Sequence, residues 1–169
     1  QPLLVYYSPK GENYWNGQIK NLAKGNTEIV AEMIAGLTGG DLFEVQTVQD
    51  YAADYSACTD QAKAELQQNA RPALKRLPEH LEQYDTIFVG YPNWWGTMPM
   101  ALFTLLEGID LSGKRILPFC TNAGSGMGRS EFALRTLCPG AIVEQGLSIH
   151  GAEAAASKPK VERWLQNQL

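Results

Sequence analysis

Five short apolar runs recur along the chain, each closed by a polar or glycine-rich turn, and between them apolar residues fall at helical spacing. Leu3–Tyr7 is unbroken apolar, the mark of a strand buried on both faces. Asp41–Thr47 sets Phe43 and Val45 on one face of a second strand, and Thr86–Gly90, Arg115–Cys120 and Ala141–Ile149 supply three more. Ile29, Val30, Met33, Ile34 and Leu37 share one side of a helix that Asn26 or Thr27 would cap and Gly39-Gly40 would end. Further helices are expected over Asp60–Gln68, ahead of the break at Arg71-Pro72, over Met98–Glu107, and over Ser130–Leu137. Ser157 would cap a last one that buries Val161, Trp164 and Leu165. Strands alternating with helices predict a three-layer α/β sandwich around a parallel sheet. No repeat or linker divides the chain, so residues 1–169 are expected to form one domain.

In such a sheet a ligand sits at the carboxyl ends of the strands. Three of those ends carry unusual sequence: Ser8 together with Gly25-Asn26-Thr27, then residues 91–97, then residues 121–128. Gly25-Asn26-Thr27 opens the first helix, where unpaired N–H groups favour an anion. Ser8, Asn26 and Thr27 could add donors, and Lys10 and Lys24 positive charge. Tyr91-Pro92-Asn93-Trp94-Trp95-Gly96 empties a strand into two adjacent tryptophans. Such a pair forms either a wall for a planar ligand or a roof over the local core. Thr121 to Gly128 is a glycine-rich loop whose backbone groups lie bare.

Other motifs fail on context. Gly108 to Lys114 approximates a nucleoside-triphosphate phosphate loop, but Arg115 stands where Ser or Thr should bind magnesium, and a strand follows rather than precedes it. Ser125 lacks the flanking glycines of a nucleophile elbow, since Ala123 and Met127 occupy those positions. Cys120 has no histidine near it in sequence and reads as a buried strand-end thiol. Gly90-Tyr91 offers no carboxylate for a phospho-accepting receiver domain. What is left is a phosphate seat, an aromatic wall and a loop of bare amides. A ligand with a phosphate at one end and a large flat heterocycle at the other matches that set, and flavin mononucleotide (FMN) fits best.

Composition narrows the partners. Hydrophobic residues make up 44% and charged residues 19%, as in an ordinary globular protein. No apolar run approaches the roughly 20 residues of a membrane span, and Leu3–Tyr7 is too short for a signal peptide. The net charge of -4 argues against nucleic acid and anionic membrane, and suits docking on a basic protein. Cys58, Cys120 and Cys138 form neither a disulfide framework nor a zinc pattern, so a reducing, cytoplasmic location is expected. The first residue is Gln1, which leaves room for a removed leader. Only His80 and His150 are present, far apart, so no histidine metal site is expected.

The chain resembles the flavodoxin family. The resemblance is carried by Tyr7-Ser8 with Gly25-Asn26-Thr27, by Gly90 to Thr97, and by Pro118 to Gly126. It implies a doubly wound, five-stranded parallel sheet of order 2-1-3-4-5 and one non-covalent FMN. By position, Ser8, Lys10, Gly25, Asn26 and Thr27 would surround the phosphate. Pro92, Asn93, Trp94, Trp95 and Gly96 would border one side of the ring, and Thr121, Asn122, Ala123, Gly124, Ser125 and Gly126 the other. Two departures stand out: Pro9 to Lys24 interrupts a phosphate loop that is usually continuous, and Asn122-Ala123 replaces a commoner His-Gly pair. The insertion brings Tyr14 and Trp15 beside the site. The resemblance implies an electron carrier, monomeric or homodimeric, that serves redox partner proteins or small electron acceptors. An FMN-dependent NAD(P)H:quinone-type oxidoreductase is the alternative.

Overall fold

A computed structural model describes residues 1–9, 11–15, 18–22 and 24–168. In chain order, β1 is Leu3–Tyr6, β2 Gly11–Trp15, β3 Gln18–Leu22, α1 Asn26–Thr38, β4 Asp41–Glu44, α2 Tyr55–Gln68 and β5 Thr86–Pro92. There follow α3 Met100–Glu107, β6 Arg115–Asn122, α4 Ser130–Leu137, β7 Ile142–Val143, β8 Leu147–His150 and α5 Lys158–Gln168. The main sheet runs β4-β1-β5-β6-β7, with β8 also paired to β6, and its pairings are parallel. Counted by crossover units this is the expected order 2-1-3-4-5.

The alternation of side chains along each strand explains the layers. Leu3, Val5, Ile87, Val89 and Ile116 pack on one face with Leu102 and Leu105 of α3 and Leu134 of α4. Leu4, Tyr6, Phe88, Leu117 and Phe119 pack on the other with Val30 and Ile34 of α1 and Val161, Trp164 and Leu165 of α5. Each fully buried Leu, Ile or Phe stabilises the fold by about 2 kcal/mol relative to exposure. Phe88 and Trp164 meet edge to face at 5.8 Å.

Several element bounds differ from the sequence expectation. The fifth strand is broken: Ile142–Val143 pairs with Arg115–Ile116, and Leu147–His150 with Phe119–Asn122. One more residue lies between these pairings on the outer edge than on β6, so the strand must bulge there. The second strand ends at Glu44, and Thr47 forms an isolated bridge with Leu74. The helix expected from Asp60 starts at Tyr55, because Asp54 caps it by accepting from Ala57 N at 2.9 Å. The helix expected from Met98 starts at Met100, after Pro99. Ser157 donates its hydroxyl to Ala154 O at 2.6 Å, while its carbonyl accepts the first bond of α5 from Val161 N.

The polar insertion carries an antiparallel hairpin of its own, β2 with β3, with Gly11 opposite Leu22 and Trp15 opposite Gln18. Its first strand approaches α2. Lys10 lies outside the described residues.

Candidate functional site

The carboxyl ends of β1, β5 and β6 release the chain on one edge of the sheet, and there a cleft of about 430 Å³ opens. That is within the usual range of small-molecule sites. Asn26 and Thr27 line it from the start of α1. Pro92, Asn93, Trp94 and Trp95 line it from the end of β5, and Thr121, Asn122, Ala123 and Ser125 from the end of β6. Of the other residues singled out in the sequence, Ser8, Gly25, Gly96, Gly124 and Gly126 do not line the cleft.

The opening of α1 is built differently from the sequence expectation. Gly25, not Asn26 or Thr27, is the N-cap, and it has no side chain to offer. Ser8 does the capping instead, its Oγ accepting from Glu28 N at 3.0 Å. A Cβ on Gly25 would lie 2.3 Å from Ser8 Oγ and 2.5 Å from Pro9 O, so only glycine lets the two segments meet. Relieved of capping, Thr27 is buried and shares a hydroxyl–hydroxyl bond of 2.8 Å with Thr121. Asn26 turns to the cleft, where its Oδ1 is buried with no partner among the described residues.

Asn93 ties the loops after β5 and β6 together. Its backbone N donates to Thr121 O and its Nδ2 to Gly126 O, both at 2.9 Å, while its Oδ1 accepts from Gly96 N at 2.9 Å. Gly96 O in turn accepts from Arg129 N at 2.7 Å. Gly128 permits that approach: its φ is +56°, and a Cβ there would stand 2.3 Å from Gly96 O.

The two tryptophans diverge, as neighbours in a turn must. Trp94 packs edge to face on Tyr7 at 5.5 Å and Tyr51 at 5.2 Å, so it roofs the core and lines the cleft at once. Trp95 is 51% exposed and adopts a left-handed backbone, φ +55°, uncommon for a bulky residue. Its Nε1 donates to Thr59 O at 2.9 Å, which anchors the loop to α2.

That contact exposes a wall the sequence did not reveal. Tyr55, Cys58, Thr59 and Ala62 of α2 all line the cleft, at helical spacing i, i+3, i+4, i+7. The signal was present as periodicity. It is obscured because these residues are mixed in polarity, and the helix expected from Asp60 begins five residues earlier, at Tyr55. Pro9 and Gly151 line the cleft as well.

Among the described lining residues none is Lys or Arg. Lys24, a candidate cation, is paired instead with Glu32 at 2.6 Å. The positive end of α1 is one feature here that favours an anion. Thiol chemistry is suppressed. Burial pushes Cys120 up to about 12, and burial followed by the nearby Glu65 charge raises Cys58, so both stay protonated. Behind Trp94, Tyr51 donates its hydroxyl to Glu65, whose carboxyl is raised by burial against the opposing pull of that bond.

The family model described as Flavodoxin matches residues 20–168. The chain belongs to the flavodoxin family. Among solved structures, this flavodoxin-family chain is similar to a protein from Bacteroides eggerthii, provisionally described as a flavoprotein, at 28% identity and a TM-score of 0.79, covering 99% of this chain and 96% of that one. A protein from Bacteroides uniformis with the same provisional description matches at 29% identity and 0.79, covering 98% and 97%. A flavoprotein from Lactobacillus acidophilus in complex with FMN matches in fold at 23% identity and 0.66, covering 98% of each chain. Among curated proteins none matches. No helix among the described residues is long and apolar enough to cross a membrane.

Proposed function

We propose that this flavodoxin-family chain is an electron carrier with FMN as its non-covalent cofactor, held in the cleft above β1, β5 and β6. One observation carries the reading: a single cleft is lined at once by the start of α1 and by both loops, with two indoles in its wall. The donor set suits FMN. Backbone N–H groups at the start of α1, which no intrahelical carbonyl can satisfy, suit a phosphate. The orphaned Asn26 Oδ1 is an acceptor that a polyol hydroxyl would satisfy. Trp94 and Trp95 would offer aromatic surface to a ring, and Thr121, Asn122, Ala123 and Ser125 line the same cleft where its polar edge would lie.

When bound, FMN supplies one- and two-electron redox chemistry. The chain's own residues bind, orient and exclude water. Asn93 holds the two loops at fixed separation, Ser8 fixes the start of α1 against β1, and α2 closes the third side through Trp95 and Thr59. Neither a metal nor a thiol nucleophile is needed by this arrangement.

The test is direct. Purified protein should be yellow, or become so with stoichiometric FMN, and riboflavin, which lacks the phosphate, should bind far more weakly. A colourless protein that ignores FMN contradicts the reading. Rapid NADPH oxidation with a quinone, in the absence of any partner protein, would make it a reductase rather than a carrier.

A further inference from the structure

A second groove, of about 780 Å³, lies beside the cleft and shares Trp95 with it, so one indole forms part of both linings. It is bounded by α2, α3 and α4, and its other aromatic members are Phe103 and Phe132. Each of the three rings carries a cation. Lys63 Nζ lies 5.1 Å from the Trp95 ring centroid, the Arg71 guanidinium 5.3 Å from that of Phe103, and the Arg129 guanidinium 5.9 Å from that of Phe132.

The three cations are not equivalent. Arg71 makes a two-pronged pair with Glu107, Nε to Oε1 at 2.7 Å and Nη2 to Oε2 at 3.0 Å, and its charge is spent there. Among the described residues no carboxylate faces Arg129. It lines the groove beside Phe132, which is 64% exposed. A large exposed ring next to an uncompensated guanidinium is an unusual surface on a chain of net charge -4. Both groups gain from a ligand that stacks on one and pairs with the other.

We propose that this groove binds a small planar aromatic anion, with Arg129 holding the anionic group and Phe132 and Trp95 contacting the ring. The groove's volume is that of a small-molecule site. The charge is opposite to the one suggested by the whole chain: with Arg71 paired to Glu107, the net negative molecule presents the cation Arg129 here. A ring of this class in the groove would lie against the same indole that lines the cleft. That relation to electron transfer rests on the reading of the cleft as the FMN site, whereas binding in the groove does not.

Two probes offer an aromatic ring with an anionic group, anthraquinone-2,6-disulfonate as a compact planar anion and NADP⁺ as a nucleotide that carries such a ring, and titration calorimetry on the protein as purified, with FMN added to saturation, separates a quinone-like from a dinucleotide ligand. At least one should bind at a single saturable site, more weakly as salt is raised. Arg129→Gln should weaken that binding about tenfold, the loss expected for one charge-assisted contact. Phe132→Ala should weaken it too, and neither change should alter the visible spectrum. Both are safe for the fold, since Arg129 joins the loop network through its backbone N and Phe132 is exposed. The proposal is overturned if neither probe binds, or if binding is equal in wild type and both variants. Should the protein take up no FMN, the same titrations on the colourless protein still report on the groove alone.

Discussion

Thr27 and Thr121 meet hydroxyl to hydroxyl at 2.8 Å, buried, although 94 positions separate them in sequence. One belongs to the first turn of α1 and the other to the end of β6, so this bond couples two elements that both line the cleft. Thr27→Val should leave the Thr121 hydroxyl buried and unpaired, lowering stability by about 1–3 kcal/mol in urea unfolding. The double change Thr27→Val with Thr121→Val should recover much of that loss, because nothing polar is then stranded. A double variant no more stable than the worse single one would contradict the coupling.

Asn93 makes two side-chain bonds, one across to Gly126 O in the loop after β6 and one that closes its own turn with Gly96 N. Asn93→Ala should lower stability by about 2 kcal/mol, near 1 per hydrogen bond. FMN affinity should fall about tenfold or more, because free loops must be ordered again on binding. Fluorescence titration with FMN checks the second effect. An unchanged dissociation constant would mean that the loops are held by other contacts.

Glu65 gives a pH dependence with a definite sign. Its carboxyl is raised above its ordinary 4.5 by burial, with the Tyr51 bond pulling the other way. A group raised on folding contributes stability that is full below its unfolded pKa and lost as pH climbs through the folded value. Stability should therefore drop on the alkaline side of about 4.5 by a contribution that Glu65→Gln abolishes. Gln can still accept from Tyr51, so the variant should be at least as stable as wild type at neutral pH. Unfolding curves across pH 4 to 8 that run parallel for the two proteins would refute the assignment.

Cys58 reports on the cleft without any activity assay. It is half-buried in the cleft lining, whereas Cys120 and Cys138 are buried. Burial holds the Cys138 thiol at about 11, further limiting its reactivity. A thiol reagent such as DTNB should label one cysteine slowly in native protein, and Cys58→Ser should remove that signal. Saturating FMN should slow the labelling severalfold. Labelling indifferent to FMN would place the cofactor elsewhere.

Much of the architecture was legible in the residues. The unbroken apolar run of Leu3–Tyr6 and the helical spacing in Ile29 to Leu37 are local properties, set by backbone geometry and by which sides need burial. The loops after β1, β5 and β6 stood out because aromatic and glycine-rich turns are costly unless they face something. The location of the cleft followed from topology, since parallel strands put their carboxyl ends on one edge.

Other features depend on register between distant segments, to which no local pattern answers. Capping of α1 by Ser8 exists because β1 ends beside Gly25 and leaves no space for a Cβ. The α2 wall has no apolar signature in the sequence because Tyr55, Cys58, Thr59 and Ala62 line a cleft, and a cleft-facing stripe need not be apolar. Arg129 and Phe132 are neighbours at i and i+3, but they come beside Trp95 only when α4 is packed next to the loop after β5. Chain order thus settled the layers and the edge that carries the site. Three-dimensional packing settled which side chains have spent their hydrogen bonds and charges on each other and which remain free for a ligand.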